Sequence, residues 1–92
     1  DNTSTFTATG IDVDLANEFG LNIKYLITRG SARRNGTLHI SGTSTSVDFV
    51  DNFVENSACG VTFFVTTGGL VQYKTTSTGD DATLKYSIES LV

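Results

Sequence analysis

Apolar and polar side chains alternate along the last third of the chain in three successive runs. Val61, Phe63 and Val65 interleave with Thr62, Phe64 and Thr66. Val71, Tyr73 and Thr75 do so with Gln72, Lys74 and Thr76, and Leu84, Tyr86 and Ile88 with Lys85, Ser87 and Glu89. Period-two alternation is the pattern of strands that bury one face. Turn chemistry separates the runs. Thr67-Gly68-Gly69 suits a three-residue hairpin ending in a left-handed residue, which glycine adopts without steric cost. Thr78–Asp81 suits a four-residue loop. These lengths pair Val65 with Val71 and Phe63 with Tyr73, then Tyr73 with Tyr86 and Val71 with Ile88. The prediction is a C-terminal three-stranded meander with Phe63, Tyr73 and Tyr86 in one aromatic row, each cross-strand pair adding roughly 0.2–1 kcal/mol beyond Ala–Ala. A slip of one residue would turn the row to solvent, so the register is well specified.

A second hairpin lies upstream. Leu21, Ile23, Tyr25 and Ile27 alternate with Asn22, Lys24, Leu26 and Thr28, and Leu38 and Ile40 alternate with Thr37, His39 and Ser41. Taking Gly30–Gly36 as a long loop pairs Ile27 with Leu38 and Tyr25 with Ile40. A tight Asn35-Gly36 turn is the alternative, but it places Arg29 and Arg33 on the inward parity, so the long loop is preferred. Elsewhere the signal is weaker. Thr5–Thr9 and Ile11–Leu15 read as short strands broken at Gly10, and Asp14–Phe19 could form one helical turn. Gly42–Ser46 reads as a polar turn. Val47, Phe49 and Phe53 suggest a strand ending in the acidic stretch Asp48–Glu55, with Asp51–Gly60 a loop. Six to eight strands in 92 residues predict an all-β, antiparallel β-sandwich or jelly roll, with residues 1–92 forming a single domain.

Composition agrees. Threonine and serine supply 24 of 92 residues (15 and 9), and branching at Cβ favours threonine on a pleated surface. A chain of this size has room for one modest core. It starts at Asp1 and has no methionine, as expected of a processed product or a piece of a longer protein. A single cysteine, Cys59, cannot form an internal disulfide, so packing, association or a covalent neighbour outside these residues must hold the fold. No apolar run is long enough for a membrane-spanning helix, and no signal-peptide pattern opens the chain.

Net charge is −4, unevenly spread. Lys24, Arg29, Arg33 and Arg34 fall in a stretch from residue 19 to 47 without an acid, while Asp1, Asp12, Asp14 and Glu18 precede it and six acids follow it against Lys74 and Lys85. Such a basic region would meet an acidic patch on an identical neighbour or an anionic glycan, or else consist of solvated loop residues. So few bases at a pI of about 4.6 argue against nucleic acid.

No catalytic constellation is visible, and the chain reads as a non-enzyme. His39, the lone histidine, sits on the polar parity of its strand without an evident orienting partner. The serines form no Gly-x-Ser-x-Gly elbow. Cys59 reads as a small buried apolar residue rather than a nucleophile. The near pairs Asp12 with Asp14, Asp48 with Asp51 and Asp80 with Asp81 fall short of the six to eight oxygens calcium needs, and Asp80-Asp81 is ordinary turn chemistry. No metal or other cofactor is expected. The exposed binding candidates, for a glycan or a subunit contact, are Leu26, Phe53, Phe64, Arg33 and Arg34. Leu26 and Phe64 lie opposite core-facing neighbours, so they mark either a second covered face or contact with another subunit.

Four segments, in order, resemble a β-rich module at the C-terminal ends of bacteriophage tail-fibre and tailspike-like proteins: Tyr25-Leu26-Ile27-Thr28-Arg29-Gly30, Arg34-Asn35-Gly36-Thr37-Leu38, Gly60-Val61-Thr62-Phe63, and Ala82-Thr83-Leu84-Lys85-Tyr86-Ser87-Ile88 with a terminal leucine. The similarity covers roughly residues 20–92 and consists of strand and turn residues. It implies a virion tail-appendage protein, otherwise an extracellular one, whose distal module forms a homotrimer and contacts a host-surface glycan or protein. It carries over no binding residue. Three rival expectations stand beside it: a capsid decoration protein, a bacterial carbohydrate-binding or adhesin module, and a trimerisation chaperone that is cleaved away.

Overall fold

A computed structural model describes residues 3, 5, 7–12, 20–43 and 45–91. The described residues form seven strands: β1 Thr7–Asp12, β2 Gly20–Arg29, β3 Ala32–Thr43, β4 Ser46–Glu55, β5 Val61–Val65, β6 Leu70–Thr75 and β7 Ala82–Leu91. All pairings are antiparallel, in a three-stranded sheet of order β1-β6-β5 and a four-stranded sheet of order β4-β3-β2-β7. The architecture is the expected β-sandwich-like all-β fold. Between the sheets lie Leu21, Ile23, Tyr25 and Ile27 of β2, Leu38 and Ile40 of β3, and Val61, Phe63, Val65 and Val71 of β5 and β6. The Tyr25 and Phe63 rings meet edge to face with centroids 5.1 Å apart, a geometry that aligns ring edge with ring face.

The β5–β6 hairpin has the predicted register, Val65 with Val71 and Phe63 with Tyr73. Gly69 closes its turn at φ 86°. The third strand of the predicted meander does not join it. β7 crosses to the other sheet and pairs with β2 along its full length, Tyr86 opposite Tyr25 and Ile88 opposite Ile23, so Tyr86 leaves the expected aromatic row. Alternation cannot tell these outcomes apart, because Leu84, Tyr86 and Ile88 keep the inward parity in either sheet. What separates them is Arg29. Its guanidinium, 3% exposed, donates from Nε to the carbonyl of Asp80 at 2.9 Å, from Nη1 to that of Cys59 at 2.8 Å, and from Nη2 to that of Thr76. Thr76 opens the β6–β7 connection and Asp80 lies one residue before its end, and the buried arginine ties both to the end of β2.

The same residue corrects the second hairpin. β2 and β3 join through a two-residue turn at Gly30-Ser31, with Arg29 opposite Ala32 and Ile27 opposite Arg34. The predicted pairing of Ile27 with Leu38 is thus displaced by four residues, which preserves every face. The long-loop prediction rested on keeping arginines off the inward parity. Arg29 and Arg34 do face inward, and among the described residues every buried side-chain nitrogen and oxygen has a hydrogen-bond partner. Gly30 holds the turn at φ 58°. Gly36, predicted as turn chemistry, lies mid-strand because a Cβ there would stand 2.6 Å from the Tyr25 ring and 2.8 Å from Phe53 Cβ.

Two further expectations change. Asp51–Glu55 is strand rather than loop, since β4 runs on to Glu55, with its inward acids facing Arg34 instead of an apolar wall. Gly10 does not break the N-terminal segment in two. β1 continues through it with a register shift between Ala8 and Asp12. The helical turn proposed for Asp14–Phe19 lies outside the described residues.

Candidate functional site

Arg34 gathers four side chains at the β3–β4 end of the core. Its Nε donates to Glu55 Oε2 at 3.0 Å and its Nη1 to the carbonyl of Val61 at 2.9 Å, while Asp51 Oδ2 lies 3.9 Å from Nη1. The guanidinium sits 4.0 Å from the centroid of the Phe53 ring. The Tyr25 hydroxyl donates to Asp51 Oδ1 at 2.5 Å. Cross-strand register explains the grouping: Arg34 is opposite Glu55, and Gly36 opposite both Tyr25 and Phe53.

The electrostatics mark this as a brace. Burial, and then the carboxylate of Asp51, push the Tyr25 hydroxyl far above its ordinary value. Burial raises Asp51, although the Tyr25 hydrogen bond and Arg34 pull against it. The Arg34 hydrogen bond, with help from the Cys59 amide, holds Glu55 below the usual carboxylate range. The Tyr25 phenolate is thereby disfavoured near neutrality, and the hydroxyl stays a hydrogen-bond donor to Asp51. Cys59 is fully buried, and burial raises its thiol, which suppresses the thiolate. His39 is exposed, its Nδ1 2.9 Å from Asn22 Oδ1. Among the described residues no three His, Cys, Asp or Glu side chains converge as a metal cluster would.

The surface is organised by the mismatch between the two sheets. The four-stranded sheet has β4 and β7 as its edges, each ten residues long. Tyr86 and Ile88 point to the inter-sheet side but remain 50% and 47% exposed, because the three-stranded sheet does not extend over them. Beside them, a cleft of about 420 Å³ opens between the sheets, lined among others by Phe63, Tyr73, Thr75, Leu84 and Thr9. At the opposite edge Val50, Phe53 and Val54 are exposed, Val54 at 78%.

The three apolar residues among the sequence-predicted binding candidates are exposed: Leu26 on the outer face of β2, Phe53 on β4 and Phe64 on β5. Phe64 also meets Phe49 edge to face at 5.7 Å. Arg33 is exposed and its Nη1 donates to the carbonyls of Gly30 and Ala32. Arg34 is the correction. It is 4% exposed and stands under the Phe53 ring. The predicted basic region therefore does not form one surface, since Arg29 and Arg34 face inward while Lys24 and Arg33 face out. Tyr86 and Ile88 were missed as exposed groups because their parity is that of the core, and parity carries no information about where a facing sheet stops. Comparison with protein-family models, with curated proteins and with solved structures returns no match for this chain.

Proposed function

We propose that the domain is an assembly and attachment module, of the kind that forms the distal part of a tail-fibre or tailspike-like virion appendage, and that it acts by associating with copies of itself. One observation supports this reading above the others: the larger sheet presents two ten-residue edge strands, one with inward-pointing Tyr86 and Ile88 half open and the other with Val50 and Val54 exposed. Long edges flanked by apolar groups are templates for another strand, and in a chain with so small a core, association is a direct way to cover them. The sequence resemblance adds the virion setting, with a trimer as one form such association takes.

The test is the mass of the folded domain by sedimentation velocity at micromolar concentration. A species of more than one chain is expected, and a strictly monomeric domain overturns the reading. Attachment is measured by binding of the labelled domain to intact bacterial cells and to their isolated surface glycans. A second reading, a carbohydrate-binding module, draws on the cleft, where Tyr73 and Phe63 stand among threonine hydroxyls. It predicts saturable oligosaccharide binding to a monomer, abolished by Tyr73→Ala.

A further inference from the structure

Within the self-association reading, the β7 edge specifies its partner. The outer face of β7 carries Lys85 and Glu89, both exposed, and its inter-sheet face carries Tyr86 and Ile88. β7 has β2 on one side and, among the described residues, no strand on the other. The free side offers an unpaired backbone row. The two-residue turn at Gly30-Ser31 closes on the Arg29–Ala32 pair, so odd residues of β2 bond to β3 and even ones to β7. Register then directs Leu84, Tyr86 and Ile88 of β7 outward with their amides and carbonyls.

We propose that this edge pairs with β7 of a second copy of the chain, antiparallel about a two-fold axis through Ser87. The register is selected by charge and shape together. Centred on Ser87, Lys85 of each copy stands opposite Glu89 of the other on the outer face, and Tyr86 opposite Ile88 on the inter-sheet face. The charge pair and the apolar pair therefore each occur twice, which is what an isologous interface requires. Centred on Lys85, the pairing sets lysine against lysine. Centred on Tyr86 or Ile88, it leaves neither charge opposite its complement. A lysine in an edge strand ordinarily discourages addition of another strand, and here Glu89 answers it only in the two-fold register. Residues directly opposite in a non-hydrogen-bonded pair lie closest, and this is the class into which Lys85 and Glu89 fall. The β4 edge lacks this self-complementarity. It carries Asp48, Asp51 and Glu55 and no base, so β4 against β4 opposes like charges, which is destabilising. The product is a continuous eight-stranded sheet across two sandwiches, with the half-open apolar edges covering each other.

The experiment is a charge exchange read by sedimentation equilibrium and light scattering. Lys85 and Glu89 lie opposite Leu26 and Asn22 on β2, so neither faces an ionic partner directly across from it there, and circular dichroism checks that each variant keeps its fold. Wild type is expected to be a dimer. Lys85→Glu and Glu89→Lys should each weaken it by about tenfold or more, since two attractive pairs become two repulsive ones. The double variant Lys85→Glu/Glu89→Lys should return to near wild-type affinity. Single variants as tightly associated as wild type, a double variant no better than the singles, or a three-chain assembly would overturn the β7 pairing while leaving self-association standing. A wild-type monomer would end both.

Discussion

Arg34 offers the sharpest test of how this core is held. Replacing it with alanine leaves the Val61 carbonyl, bonded at 2.9 Å, without its donor in the interior. An unpaired buried acceptor costs about 1–3 kcal/mol. The guanidinium also lies 4.0 Å from the Phe53 centroid, a cation–π contact worth about 0.5–2 kcal/mol between an exposed and a desolvated setting, with Arg34 buried and Phe53 partly open. Asp51, whose carboxyl burial already disfavours as an anion, loses its nearby cation. The bond to Glu55 adds little more, because that carboxylate keeps access to water and is screened. The expected loss is about 3 kcal/mol, a large share of the 5–14 kcal/mol typical of a domain this long, equivalent to a fall in Tm of roughly 12–24 °C. Arg34→Lys keeps the charge but not the fork that reaches Glu55 and Val61 together, and should recover less than half. The assay is guanidinium unfolding followed by far-ultraviolet circular dichroism, since the chain has no tryptophan. A loss under about 1 kcal/mol for Arg34→Ala at unchanged m-value would refute the account of Arg34 as the brace between β3, β4 and β5.

Three further outcomes follow from the same geometry. Gly36→Ala, which brings a methyl to 2.6 Å from the Tyr25 ring, should cost about 1–3 kcal/mol by overpacking, measured by thermal melting; a neutral substitution would mean that Tyr25 and Phe53 move aside freely. Glu55 and Asp51 act in opposite senses on stability against pH. Glu55, lowered in the fold by Arg34, contributes stability above its unfolded value of about 4.3 that is lost as pH falls further. Asp51, raised in the fold by burial, contributes stability in acid that is lost as pH rises from about 4. Removing Asp51's titration with Asp51→Asn should therefore steepen the acid loss below about pH 4.3, read from unfolding free energies along a pH series; a flatter limb contradicts the opposing signs. The Cys59 thiol, fully buried and raised by burial, should react with an aromatic disulfide reagent only as fast as the protein opens, so labelling and unfolding rates should coincide in mild denaturant. Rapid labelling of the native protein would show the thiol to be accessible.

Alternation along the chain was enough to set the inward and outward faces of β2, β5 and β7. Every second side chain from Leu21 to Ile27, Val61 to Val65 and Leu84 to Ile88 takes the parity its alternation predicts, because a pleated chain has only two faces and burying one of them fixes the set. It also determined the β5–β6 hairpin, whose turn is short enough for local chemistry to set the register. Which strand pairs with which over longer distances was left to the tertiary structure. A shift of four residues in β2–β3, or the move of β7 from β6 to β2, conserves parity and so conserves the pattern. Those choices turned on Arg29 and Arg34, residues that sequence reasoning steers away from the interior. They are stable there because carbonyls of Cys59, Thr76, Asp80 and Val61 and the carboxylate of Glu55 converge on them. The exposed edge at Tyr86 and Ile88 was equally beyond the pattern, since it arises from one sheet having four strands and the other three. Side-chain period reports which way a residue points; only the packed fold decides whether anything stands in front of it.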